Sequence, residues 1–119
     1  MQLLHKIQTL QGNIIACCRT RPPSDQELAA GGKIIVDTMD DTELMFYDSR
    51  VDTWKSFAFD RVWKADKNQV DVFADVEPVI ISVAEGYNAC IMAYGQTGSG
   101  KTYTMVRYQY QLHMTIIPY

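Results

Sequence analysis

Cys90-Ile91-Met92-Ala93-Tyr94-Gly95-Gln96-Thr97-Gly98-Ser99-Gly100-Lys101-Thr102 is the stretch on which the reading of this chain turns. Its second part, Gly95 to Thr102, matches the phosphate-binding loop pattern G-x-x-x-x-G-K-[ST] at every fixed position. Each residue type has a physical reason. Glycine at 95, 98 and 100 permits backbone angles and close approach that a Cβ forbids. The N–H groups of such a loop, including those of Gln96, Thr97 and Ser99, turn inward and form a concave anion site. A helix beginning near Gly100 or Lys101 adds the positive end of its dipole. Lys101 supplies a mobile charge for the β- and γ-phosphates, and the Thr102 hydroxyl is a ligand for Mg2+. The first part, residues 90–94, is an apolar run that reads as a strand buried on both faces, which is the context the pattern requires.

Upstream, Val72, Phe73, Val76, Val79, Ile80, Val83 and Ala84 recur at three- and four-residue steps. That spacing predicts a helix over 69–86 with its stripe in the core, kinked or split at Pro78 and stopped at Gly86. Ile14 to Cys18 is a second apolar run, read as a doubly buried strand that ends before Pro22-Pro23. Residues 22–32 read as a loop. Lys33–Val36 and Thr42–Tyr47 look like a strand pair around Met39–Asp41. Phe57–Phe59 reads as a further short strand, with Phe57, Phe59 and Trp63 as core. Asp37 ends an apolar strand but lies in the expected hairpin, so it is assigned a surface role. At the N-terminus, Leu3, Ile7 and Leu10 have coiled-coil spacing over residues 1–11. At the other end, residues 106–116 alternate with a period of two, a strand pattern that conflicts with the helix the loop demands.

Composition narrows the function classes. The chain has 119 residues, 47% of them hydrophobic and 21% charged, which is globular in character. A formal net charge of −3 argues against whole-domain binding to nucleic acid or to an anionic membrane. No run approaches the roughly 18 apolar residues of a membrane helix, and no signal peptide is expected. Cys17, Cys18 and Cys90 read as reduced, buried thiols in the cytosol or nucleus, because adjacent cysteines cannot bridge without strain.

Three motifs together resemble the N-terminal part of a kinesin motor domain. They are Arg19-Thr20-Arg21-Pro22, then Phe57-Ala58-Phe59-Asp60-Arg61-Val62-Trp63, then Gly86-Tyr87-Asn88 running into Ala93 to Met105. The resemblance covers residues 12–105. Residues 4–13 further resemble the neck of the C-terminal-motor, minus-end-directed kinesins, in which a coiled-coil stalk precedes the motor. The fold implied is α/β, the incomplete N-terminal portion of a P-loop NTPase with a mostly parallel central sheet flanked by helices. The organisation implied is the end of a stalk helix over 1–11, a partial motor domain over 12–105 and a divergent tail over 106–119.

The resemblance implies ATP and Mg2+ as ligands and microtubules as partner. It also implies a dimer through the stalk of the full-length protein, and a cytoplasmic, cytoskeletal location. Arg19 and Pro22 look like the pair that borders the adenine, and Tyr103 like the residue that stacks on it. A guanidinium, a flat apolar ring and an aromatic suit a purine face. Arg19 also reads as a strand-end surface cation, and Tyr103 as a partly buried helix tyrosine. In kinesins both switch loops and the main microtubule-binding face follow the helix after the loop. This chain is therefore expected to bind nucleotide without completing hydrolysis, and to expose apolar sheet edges. Two other classes stand beside this reading: a different P-loop ATPase or GTPase, and a non-enzymatic interaction segment acting through residues 1–11.

Overall fold

The computed structural model describes residues 14–106, so the expected stalk helix and the tail beyond Val106 lie outside the described residues. The elements are β1 (Cys17–Arg19), α1 (Asp25–Ala29), β2 (Val36–Thr38), β3 (Glu43–Asp48), β4 (Thr53–Ala58), β5 (Arg61–Trp63), α2 (Gln69–Ala84) and α3 (Lys101–Val106). The parallel part of the sheet is the β1–β5 pair, with Cys18 opposite Val62. β2, β3 and β4 form an antiparallel meander. The two sheets meet where Val62 N donates to the Asp41 carbonyl at 2.6 Å. Among the described residues no helix is long and apolar enough to cross a membrane.

Helix α2 forms where the spacing places it, and both ends have a local cause. Asn68 caps the first turn, its side chain accepting from Val70 N and Asp71 N, while its own backbone N–H donates to Asp71 Oδ2. At the far end Gly86 takes φ +98°, Gly86 N bonds the Val83 carbonyl and Tyr87 N bonds the Ser82 carbonyl. That is the Schellman arrangement, which glycine enters at little cost. Pro78 does not split the helix, which runs continuously through it. Only part of its apolar stripe is covered: Val72 is buried, whereas Val83 and Ala84 are exposed.

Among the described residues the apolar core is small. Leu44 from β3, Val62 and Trp63 from β5, and Val72 from α2 are its buried members, with Val62 only 1% exposed. Trp63 Nε1 donates to Asp75 Oδ2 at 2.7 Å, and Arg61 Nε reaches the same oxygen at 2.8 Å, which ties β5 to α2.

Several expectations are corrected. Residues 90–94 form no strand: they lie on no ladder, and Met92 and Tyr94 are 82% and 97% exposed. A strand buried on both faces needs neighbours at its edges and helices over it. Among the described residues β1 pairs only with β5. The first strand sits later than expected, at Cys17–Arg19, because β5 sets its register, and Ile14 and Ile15 are left exposed. β2 starts at Val36 rather than Lys33. Phe57 is not core. It lies on β4, an edge strand exposed along its whole length, while Trp63 is buried and Phe59 half-buried. Cys17 and Cys90 are exposed rather than buried. The expected exposed apolar edges are present. Helix α3 runs through Val106, and residues 107–116 of the period-two pattern lie outside the described residues.

Asp48 is a buried carboxylate at the end of β3. Arg50 donates to it from Nε and from Nη2, each at 3.1 Å, and Lys55 Nζ at 2.8 Å. Hydrogen bonds from Arg50, then Lys55, then the Arg50 backbone hold its pKa well below the usual carboxylate range. A depressed folded value means the stabilisation is complete above the unfolded pKa of about 3.9 and is lost as pH falls through the folded value. Asp48→Asn should therefore lower the urea midpoint at pH 7, and its gap from the unaltered chain should narrow below pH ~4. A gap that stays constant from pH 7 to pH 2 would contradict this.

Candidate functional site

The loop from Gly95 to Gly100 joins the unpaired segment 90–94 to α3. Gly98 and Gly100 take φ +82° and +97°, the left-handed region that a side chain rarely enters. Gly95 has a different constraint: a Cβ there would sit 2.5 Å from Ser99 Oγ. The turn closes through Ser99 N to the Gln96 carbonyl at 3.2 Å, and the helix begins with Thr104 N on the Gly100 carbonyl at 2.9 Å. Lys101 folds back on the loop, and its Nζ donates to the carbonyls of Gly95 and Gln96, both at 2.7 Å. The ammonium is thus half-buried and held by neutral acceptors. Thr102 is exposed on the first turn of α3.

Arg19 and Tyr103 are brought together. The Arg19 guanidinium, at the end of β1, lies 5.3 Å from the Tyr103 ring centroid, within cation–π range. Arg19 Nη1 also donates to Thr104 Oγ1 at 3.2 Å and to Gln69 Oε1. Gln69 Nε2 donates to the Tyr103 carbonyl at 2.8 Å. Pro22 lies exposed between β1 and α1, where its carbonyl accepts from Arg21 Nη1 at 3.2 Å. Gln69 and Thr104 were not legible as part of this cluster. Gln69 lies far from both Arg19 and Tyr103 in sequence, and its helix stripe points only to core packing.

A cleft of about 430 Å3 separates the end of β1 from the loop. Cys18, Arg19, Thr20, Arg21 and Glu27 line one side, Gln96, Thr97, Gly98 and Ser99 another, and Val36 and Leu44 also border it. Glu27 does double duty on that wall. It closes the capping box of α1 with Ser24, and it accepts from Arg21 Nη2 at 2.5 Å. The Arg21 hydrogen bond, followed by those from the Ser24 backbone and hydroxyl, lowers its pKa to about 2, so it is a carboxylate at neutral pH. Arg21 is thereby committed to Glu27. Among the described residues Arg19 pairs with no carboxylate.

The family model described as "Microtubule binding" matches residues 2–117. Kinesin-like protein KIN-14R of Arabidopsis thaliana is 47% identical over 106 residues, covering 87% of this chain and 10% of that relative. Kinesin-like protein KIN-14J of Oryza sativa subsp. japonica is also 47% identical over 106 residues, covering 87% of this chain and 12% of the relative. The chain therefore spans about a tenth of the length of these curated relatives. Among solved structures, a fast kinesin superposes with a TM-score of 0.72 at 35% identity, over 78% of this chain and 26% of the other. The motor domain of the Kar3-like kinesin from Ashbya gossypii gives 0.68 at 32% identity, over 82% and 32%.

Proposed function

The chain belongs to the kinesin family, with KIN-14 proteins among its curated relatives, and from that premise we propose that residues 95–103 together with Arg19 and Pro22 bind Mg-ATP. The phosphates would lie against the loop amides and Lys101, the Mg2+ against the Thr102 hydroxyl, and the adenine near Arg19, Pro22 and Tyr103. The observation that carries the reading is the loop itself. Two of its glycines hold left-handed backbone angles that side chains disfavour, a Cβ on Gly95 would press against Ser99 Oγ, and one lysine lies folded against the loop. The cleft is bordered by Arg19 and by Gln96 to Ser99 of the loop, whereas Lys101, Thr102, Pro22 and Tyr103 lie outside its lining.

Bound Mg2+ would screen the phosphate charge, and bound ATP would supply the free energy for movement. This chain's own residues contribute binding and orientation. Lys101 would have to exchange the Gly95 and Gln96 carbonyls, each bonded by its Nζ at 2.7 Å, for phosphate oxygens. In the whole protein the proposed role is ATP-driven movement along microtubules, as a microtubule-stimulated ATPase on the cytoskeleton in the cytoplasm. Residues 1–11 would end a dimerising stalk, residues 12–105 would belong to the motor, and residues 106–119 would form a divergent tail.

Titration with Mg-ATP tests the binding step. At about 100 times the dissociation constant the folded state should gain roughly 2.7 kcal/mol, read as a rise in melting temperature. A chain that folds but shows no shift at millimolar Mg-ATP would refute the reading.

A further inference from the structure

Gln69 opens α2, and nothing in the nucleotide reading so far uses it. Both ends of its side-chain amide are committed. Oε1 accepts from Arg19 Nη1, and Nε2 donates to the Tyr103 carbonyl at 2.8 Å. One amide on α2 therefore bridges β1 and α3, the two elements that bring Arg19 and Tyr103 to 5.3 Å from each other. We propose that Gln69 is a positioning residue for the base end of the nucleotide site, holding the Arg19 guanidinium and the Tyr103 ring in the arrangement that receives a purine. This rests on the Mg-ATP reading above and deepens it.

A guanidinium carries five donors and no acceptor, so its orientation is dictated by the acceptors around it. Here those are Gln69 Oε1 and Thr104 Oγ1, both neutral. Among the described residues no carboxylate pairs with Arg19, unlike Arg21, which Glu27 neutralises. A neutral amide aims the guanidinium while leaving its charge available to an aromatic face and to a polyanion. The second bond acts on the other partner: a donor on the Tyr103 carbonyl pins the first turn of α3, and with it the point from which the ring projects. Gln is the residue type that does both, because an amide accepts at one atom and donates at the other.

The test uses the full chain with two probes, Mg-ATP and Mg-tripolyphosphate, titrated by calorimetry alongside melting temperature without ligand. Tripolyphosphate carries the phosphates without the base. Gln69→Leu should weaken Mg-ATP about five- to tenfold, the scale of an ordinary hydrogen bond, and change tripolyphosphate by less than about twofold. Gln69→Glu keeps an acceptor for Arg19 but loses the donor to Tyr103, and should fall between. Equal weakening of both probes would make Gln69 a brace for the fold or the loop and overturn the proposal. So would an unchanged affinity for both. If Gln69→Leu does not fold, Gln69→Glu carries the same test: its affinity ratio must shift toward tripolyphosphate. An unaltered chain that binds neither probe removes the Mg-ATP reading itself and this inference with it, whereas binding unaffected by Gln69 removes the inference alone.

Discussion

Lys101→Ala is expected to abolish most of the Mg-ATP-induced rise in melting temperature while leaving the ligand-free chain nearly as stable as before. The two halves of that result have separate causes. Without ligand, Lys101 Nζ bonds the Gly95 and Gln96 carbonyls, on a loop open enough for water to replace it. Surface bonds of this kind change stability little. With ligand, the ammonium is the only cation within the loop sequence itself. Losing one hydrogen bond to a charged group costs about 2 kcal/mol, or roughly thirtyfold in affinity. At a ligand concentration that gives the unaltered chain roughly 2.7 kcal/mol, the variant would then retain only about 0.9 kcal/mol. Equal shifts for the two chains would show that the anion, if bound, is bound elsewhere. A large loss of stability without ligand would show that Lys101 is chiefly structural.

Trp63→Ala should cost about 3–5 kcal/mol, enough to unfold a marginal domain. Trp63 is one of the few buried apolar side chains among the described residues, and its indole N–H also joins β5 to α2 through Asp75. Trp63→Phe separates those contributions. It keeps most of the buried ring but drops the bond to Asp75, which Arg61 still holds, so about 1 kcal/mol should be lost. Phe57→Ala is the matched control. On the exposed edge strand β4 it should change the urea midpoint by no more than about 0.5–1 kcal/mol in equivalent free energy. If Phe57 proved as costly as Trp63, a surface covers β4 in solution that the described residues do not contain.

These two aromatic positions illustrate what patterning can and cannot say. Phe57, Phe59 and Trp63 look alike in the sequence, as large aromatics in one short segment, and all three read as core. Their fates separate because Trp63 lies on β5, between β1 and α2, whereas Phe57 lies on a strand with one neighbour among the described residues. The same reasoning covers residues 90–94. Their apolar character marks a strand that wants burial, but a ladder needs a partner, and none pairs with them among the described residues.

Local chemistry was determined by the sequence alone. The Gly98 and Gly100 turns, the start of α3 at Lys101, the Gly86 stop of α2 and the β2–β3 pairing each depend on a handful of adjacent residues. Tertiary structure alone decided where β1 finds its register, which aromatics are buried, and that Gln69 links Arg19 to Tyr103. Those outcomes depend on which distant segments meet, and a contact across 50 residues leaves no period or motif in the chain that makes it.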